Sequence, residues 1–343
     1  LTLAAQGDLT VSGNITAGAT NNILLQADRD VIIQSTVSAV GASTNITVSA
    51  DADLDGVGGV WIDEAGSAAD AKLVAGGSIS LTGSDLFAGA GDARTSADAI
   101  RVSSDGANTQ IDAGTSIQLL ARTNTPVGND TVADIVLDGK SSAGTTLTVT
   151  ADTGRTIYLS ADQSAGGGMD FSNAVVLSSS VSLTTGAGDI NFQSSVTGTN
   201  AGVEDLTLTA GTGSITFTGA VGATRLGDVL INSAADVTES AGMTVASLTQ
   251  VAGSGTTTLN GAVNTNTAQG VQLTGTNLAV NAGITTTANG VVTVNESGTV
   301  VIAAAGDIAA DGAVSLTAGG GISTAGDVTT TNDNVTFASA TTL

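Results

Sequence analysis

Val271-Gln272-Leu273, Val292-Thr293-Val294, Val314-Ser315-Leu316 and Val335-Thr336-Phe337 are four short runs of one kind: apolar, polar, apolar. Their first residues lie 21, 22 and 21 positions apart. In an extended chain such alternation puts the outer two side chains on one face and the middle one on the other. A strand that returns at a fixed spacing in the twenties marks a solenoid, with one coil per repeat.

Followed back toward residue 1, the triplet recurs as Leu1-Thr2-Leu3, Ile23-Leu24-Leu25, Ile46-Thr47-Val48, Val60-Trp61-Ile62, Ile79-Ser80-Leu81 and Ile100-Arg101-Val102. It continues from Ile117, Ile135, Ile157, Val181, Leu206 and Val229, with a weaker rung near Val251. The mean spacing is about 21 residues per coil. A second triplet follows the first by about eight residues in many coils, starting at Leu9, Val31, Ile190, Ile215, Leu278 and Val300. A third apolar point follows at Ile15, Val37, Val196, Ile284, Ile308 and Val328. Roughly three strands per coil, separated by Gly, Asn and Asp turns, predict an all-β parallel β-helix (β-solenoid). Right-handed coiling is the default for parallel strands joined this way.

The turns repeat as well. Leu183-Thr184-Thr185-Gly186-Ala187-Gly188-Asp189-Ile190 is echoed by Leu208-Thr209-Ala210-Gly211-Thr212-Gly213-Ser214-Ile215. Shorter relatives are Gly7-Asp8-Leu9, Gly227-Asp228-Val229, Gly306-Asp307-Ile308 and Gly326-Asp327-Val328. The Asp and Ser residues are expected to bond backbone amides at the corner, not to form a catalytic set.

Composition supports an ordered chain with a narrow core. Hydrophobic residues make up 41% of the 343, aromatics only 2%, and Gly numbers 46 against a single proline, Pro126. Abundant Gly, Ser and Thr would suit a disordered segment, but the mean hydropathy is positive and the alternation gives apolar surface to bury. Stacked aliphatic side chains fill a narrow interior well. The formal charge is −23, from 31 acids against eight bases. That sign argues against nucleic acid and anionic membrane surfaces as partners and leaves cations, above all calcium. With no Cys and no His there are no disulfides, no thiolate sites and no imidazole base. No apolar run approaches a membrane-spanning length, so membrane insertion of this segment is not expected.

The expected organisation is a single continuous solenoid over 1–343. Residues 1–170 should be less regular, with loop excursions at 49–78 and 84–131, and 171–343 more regular. No polar cap closes either end, which predicts a segment of a longer polypeptide.

The repeats resemble the filamentous haemagglutinin family of bacterial exoproteins, and more narrowly the giant repetitive surface proteins that share them. The likeness rests on Leu-Thr-Ala-Gly-x-Gly-Ser-Ile at 208–215, Ala-Ala-Gly-Asp-Ile at 304–308 and Ser-Thr-Ala-Gly-Asp-Val at 323–328. It implies secretion, a right-handed β-helix, an extracellular or cell-surface location, and a role in adhesion, filaments or matrix. The family's N-terminal secretion domain and an Arg-Gly-Asp triplet are not found in the sequence.

One stretch has metal-like spacing: Asp51, Asp53 and Asp55 followed by Gly56. Carboxylates at positions 1, 3 and 5 with Gly at 6 form the first half of an EF-hand-type calcium loop. Position 7 offers the Val57 carbonyl; position 12 is Ile62, with Asp63 and Glu64 just beyond. The alternative is an acidic surface turn. Trp61, the only Trp, takes an outward position and is expected to cover the solenoid wall rather than stack on a sugar.

Polysaccharide-degrading enzymes also use parallel β-helices, but they need clustered acids or an acid–base set in a cleft. Here Lys72, Lys140 and six Arg are scattered and aromatics are scarce, so no enzyme activity and no cofactor other than calcium are expected. The leading expectation is a structural rod or filament segment that associates with itself. The alternative is an adhesin module that binds a carbohydrate or receptor on a host or neighbouring cell through 49–131.

Overall fold

A computed structural model describes residues 1–54, 57–62, 71–84, 98–103, 108–122 and 135–343. Among them all regular structure is β-strand, and the strands stack in parallel as coils of a β-solenoid with about 22 residues per turn. The chain forms two compact units, Leu1–Val175 and Val176–Leu343.

In the first unit each coil contributes three strands, beginning with Thr2–Ala5, Leu9–Val11 and Ile15–Ala17. Every strand pairs with its counterpart one coil on. Ile23, Ile46, Ile79, Ile117, Leu147 and Met169 thus form one vertical file, and all six are buried. Each such aliphatic side chain contributes about 1.5–3 kcal/mol by burial. The alternation of the sequence is what turns these residues inward at every level.

A file of glycines runs beside a file of alanines at one corner. Ala39, Ala75, Ala113, Ala143 and Ala165 are in register. Gly76, Gly114, Gly144 and Gly166 follow the last four. A Cβ on Gly76 would lie 2.1 Å from the carbonyl oxygen of Gly41, and one on Gly114 2.2 Å from that of Gly76. For Gly144 and Gly166 the distances to the preceding glycine's oxygen are 2.0 and 2.2 Å. Only glycine lets the backbone stack this closely.

In the second unit the four triplets between 271 and 337 stack directly: Val271 on Val292, Val292 on Val314, Val314 on Val335. The other two faces hold Ile190 on Ile215 and Ile284 on Ile308 on Val328. Phe192 and Phe217 stack at the coil spacing, ring centroids 5.2 Å apart and planes within 2°. Two long strands, Val221–Ser233 and Met243–Gln250, run around a corner and belong to two faces.

The register corrects the sequence at several rungs. Val60-Trp61-Ile62 pairs with Val31 and Ile100, whereas Ile46 pairs with Ile79. The single series of rungs therefore crosses from one face to another. The rung placed near Val251 is Leu248, which stacks between Val229 and Val271; Val251 itself is exposed. All three faces carry the same triplet, so spacing alone does not say which face a triplet joins. The stretches 49–78 and 84–131 contain strands of the coil itself: Val60–Ile62, Lys72–Ala75, Ile100–Val102, Thr109–Ala113 and Ile117–Arg122.

Candidate functional site

Polar side chains join coil to coil in both units, and the candidate metal turn belongs to the first. At Asp51 the backbone adopts a positive φ of 54°. The residue is 3% exposed, and its Oδ2 accepts a hydrogen bond of 2.6 Å from Ser84 Oγ. Its amide donates to the Arg29 carbonyl. Gly58 packs against the same point, where a Cβ would stand 2.5 Å from Arg29 O and 2.7 Å from Asp51 N. Asp51 is therefore a buried pin of the corner, while Asp53 is exposed and Val57 half-buried. Asp55, Asp63 and Glu64 lie outside the described residues. Among the described residues no three His, Cys, Asp or Glu side chains converge on a metal position.

Trp61 is outward in the alternation yet only 5% exposed, and its Nε1 donates to the Asp98 carbonyl at 3.4 Å. Its file continues through Ile32 and Val136, also buried, with Arg101 between Trp61 and Val136. Arg101 is held by Asp98 at 3.0 Å and Asp138 at 2.9 Å. The tryptophan packs in the wall.

The corner acids and amides behave as a ladder. Asn45 N donates to Asn22 Oδ1 at 2.9 Å, and Ser78 N to Asn45 Oδ1 at 2.8 Å. In the second unit Ser214 N donates to Asp189 Oδ1 at 2.7 Å, Thr256 N to Asp236 Oδ1 at 2.7 Å, and Thr299 N to Asn277 Oδ1 at 2.9 Å. Other corners repeat the bond from Asp228 N to Asp205 Oδ1 and from Asp327 N to Asp307 Oδ1. The corner role expected of such residues is seen at Asp189 and Asp307, whose side chains accept from an amide of the following coil, whereas Asp228 Oδ1 accepts from the Ser247 hydroxyl. Each is a stitch between coils, and a charge-assisted one where the acceptor is Asp.

Compared with family models, curated proteins and solved structures, the chain matches none.

Three buried glutamates in the second unit were not singled out by their sequence context. Glu239 accepts at Oε1 from the amides of Ala241 (2.8 Å) and Gly242, and at Oε2 from Gly261 N at 2.8 Å, one coil on. Glu204 accepts from Thr199 Oγ1 at 2.6 Å and from Asn200 N and Nδ2. Burial alone would raise the Glu204 carboxyl, but donation from Thr199 and Asn200 outweighs it and holds the group below the usual glutamate value. Glu296 differs. It is 2% exposed, stacked between Gly275 and Ala318, and neither carboxyl oxygen has a hydrogen-bond partner. Burial pushes its carboxyl above the ordinary value. The available signal was parity: Val292, Val294 and Glu296 are alternate residues, so the acid must share the inward face of the valines.

Proposed function

We propose that this chain is a structural segment of a secreted or cell-surface bacterial adhesin or extracellular-matrix protein, whose coils act as a stiff rod or filament. The observation that supports it is the stitching of successive coils by both backbone and side chain, with the Asp, Asn and Ser ladders at the corners and Glu239 as a clamp. Mechanical load along such a stack is shared by parallel hydrogen bonds and aliphatic files rather than by any one contact. Half-buried uncharged files such as Thr216–Thr238–Thr258 would serve lateral packing against copies of itself. Calcium is the cation we propose to screen the charge of −23 during such packing. Its candidate site is Asp51, Asp53, Asp55, the Val57 carbonyl, Asp63 and Glu64. We infer a mechanical role without enzyme activity, on the scattering of the eight bases and the lack of any histidine.

Electron microscopy and fibre diffraction of the native secreted polypeptide, with and without a calcium chelator, test this proposal. The expected result is filaments with a repeat near about 4.8 Å. Isolated short particles in both conditions would overturn it.

The adhesin-module alternative is favoured by one observation. Ile79 pairs with Ile46 and with Ile117, steps of 33 and 38 residues, so these coils carry extra chain beyond a 22-residue turn. Solenoids commonly place binding specificity in such additions. Deleting the extra chain within 49–131 should then abolish attachment to host or neighbouring cells, or to glycan-coated surfaces, while the coils stay folded.

A further inference from the structure

Three consecutive coils of the second unit carry Ile284-Thr285-Thr286-Thr287, Ile308-Ala309-Ala310-Asp311 and Val328-Thr329-Thr330-Thr331. Ile284 pairs with Ile308 and Ile308 with Val328, so the three tetrapeptides lie side by side. After the aliphatic residue the outer two carry threonine at every position, and the middle one carries Ala, Ala and Asp. Consecutive strand residues face opposite ways, so Ala309 is exposed between the exposed Thr285 and Thr329, whereas Ala310 and Thr286 are buried on the inward side. The shortfall opens a groove of about 370 Å³ lined by these nine residues. With strands about 4.8 Å apart, the two threonine walls stand about 9.6 Å apart, backbone to backbone. That is room for one ring or one thin chain.

The chemistry of the lining is uneven. Five of the six threonine hydroxyls donate within the protein: Thr286 to Gly290 O, Thr287 to Thr265 O, Thr329 to Ile308 O, Thr330 to Asp333 O and Thr331 to Asp311 Oδ1. Their protons are used; Thr286 Oγ1 is buried and accepts from Asp311 N, while the oxygens of the exposed Thr287, Thr329 and Thr331 keep lone pairs. Asp311 accepts at Oδ1 from Thr331 (3.1 Å) and at Oδ2 from Asn289 N (2.7 Å), which leaves further acceptor capacity on each oxygen. The groove is therefore rich in acceptors and methyl groups and poor in donors. No basic residue follows Arg225, so an anionic ligand has no counter-charge in this part of the chain. An extended peptide would need donors and acceptors in alternation, which the lining does not offer.

We propose that this groove is a subsite for one neutral sugar residue of a glycan, whose hydroxyls donate to Asp311 and the threonine oxygens and whose C–H face rests on Ala309 and the threonine methyls. The site lies outside 49–131 and stands independently of the rod proposal.

The test uses the full chain on an array of neutral and acidic oligosaccharides, with lysine-rich peptides included and any hit measured by calorimetry. The decisive variant is A309T, which fills the groove with the residue both neighbouring coils already carry at that register, so folding is retained and is checked by circular dichroism. A second variant, D311N, removes the charge while keeping an acceptor for Asn289 N. The expected result is binding of a neutral glycan at about millimolar strength, weakened at least about tenfold in A309T and less in D311N. Unchanged binding by A309T, binding of acidic glycans or lysine-rich peptides alone, or no neutral glycan bound would each overturn the proposal.

Discussion

Replacing Glu296 by glutamine should stabilise its coil at neutral pH and leave it unchanged in acid. The carboxyl is 2% exposed with both oxygens unpartnered, and burial holds its pKa above the ordinary value of 4.5. Well below 4.5 the folded and unfolded states both hold the proton, so the group contributes no pH dependence. Between the unfolded value and the raised folded value, the unfolded chain has released the proton and the folded chain has not. Stability then falls as pH rises, by at most about 1.4 kcal/mol per pH unit. Above the folded value the loss is complete. The cost of burying a polar group without a partner is common to both side chains, so the difference expected at neutral pH is the ionisation cost alone. Glutamine is also left without partners but does not titrate, which isolates the ionisation. Trp61 and Tyr158 both belong to the first unit, so intrinsic fluorescence reports the wrong half of the chain. Hydrogen exchange read by mass spectrometry over 290–320 is the suitable assay, with variant and wild type compared at each pH from 4 to 8. Protection should coincide at pH 4 and diverge in favour of E296Q as pH rises. Coincident profiles at every pH, or wild type better protected at pH 8, would refute the reasoning.

Glu204 has the opposite sign. Its lowered pKa supplies stability above 4.5 that is lost as pH falls through the folded value, so T199A should weaken protection around 199–204 at neutral pH and lose that difference in strong acid. Glu239→Ala leaves the amides of Ala241, Gly242 and Gly261 without their acceptor and should cost about 1–3 kcal/mol for each that stays buried; unchanged exchange at 239–262 would show that the clamp is dispensable. Gly114→Ala puts a Cβ 2.2 Å from a backbone oxygen and should lower the unfolding free energy, read from urea unfolding followed by Trp61, by about 1–3 kcal/mol, whereas Gly13→Ala meets nothing within 4 Å and serves as the control. If residues 51–64 bind calcium, millimolar calcium should raise the Trp61 midpoint, and D53N/D55N should abolish the rise; a calcium-independent midpoint in wild type argues for a plain acidic turn.

The sequence by itself determined which side chains of each strand face inward, how long a coil is, and that Asp, Asn and Ser occupy the corners. Those properties are local: a strand alternates every two residues whatever it packs against, and a corner needs small or hydrogen-bonding residues wherever it occurs. Tertiary structure decided which strands meet. Val60 stacks on Val31 and not on Ile46, because the lengths of chain between strands, which the alternation does not record, set the face to which a triplet returns. It also decided the partners of the corner carboxylates, since the amide that Asp205 accepts from is that of Asp228, 23 residues away. Glu239 and Glu296 look alike in sequence, each an inward acid at a strand end. One faces three amides and the other faces Gly275 and Ala318, and that difference exists only once neighbouring coils are stacked. The groove over Ala309 has the same origin: one small outward residue becomes a recess because Thr285 and Thr329 lie on both sides of it in space, not in sequence.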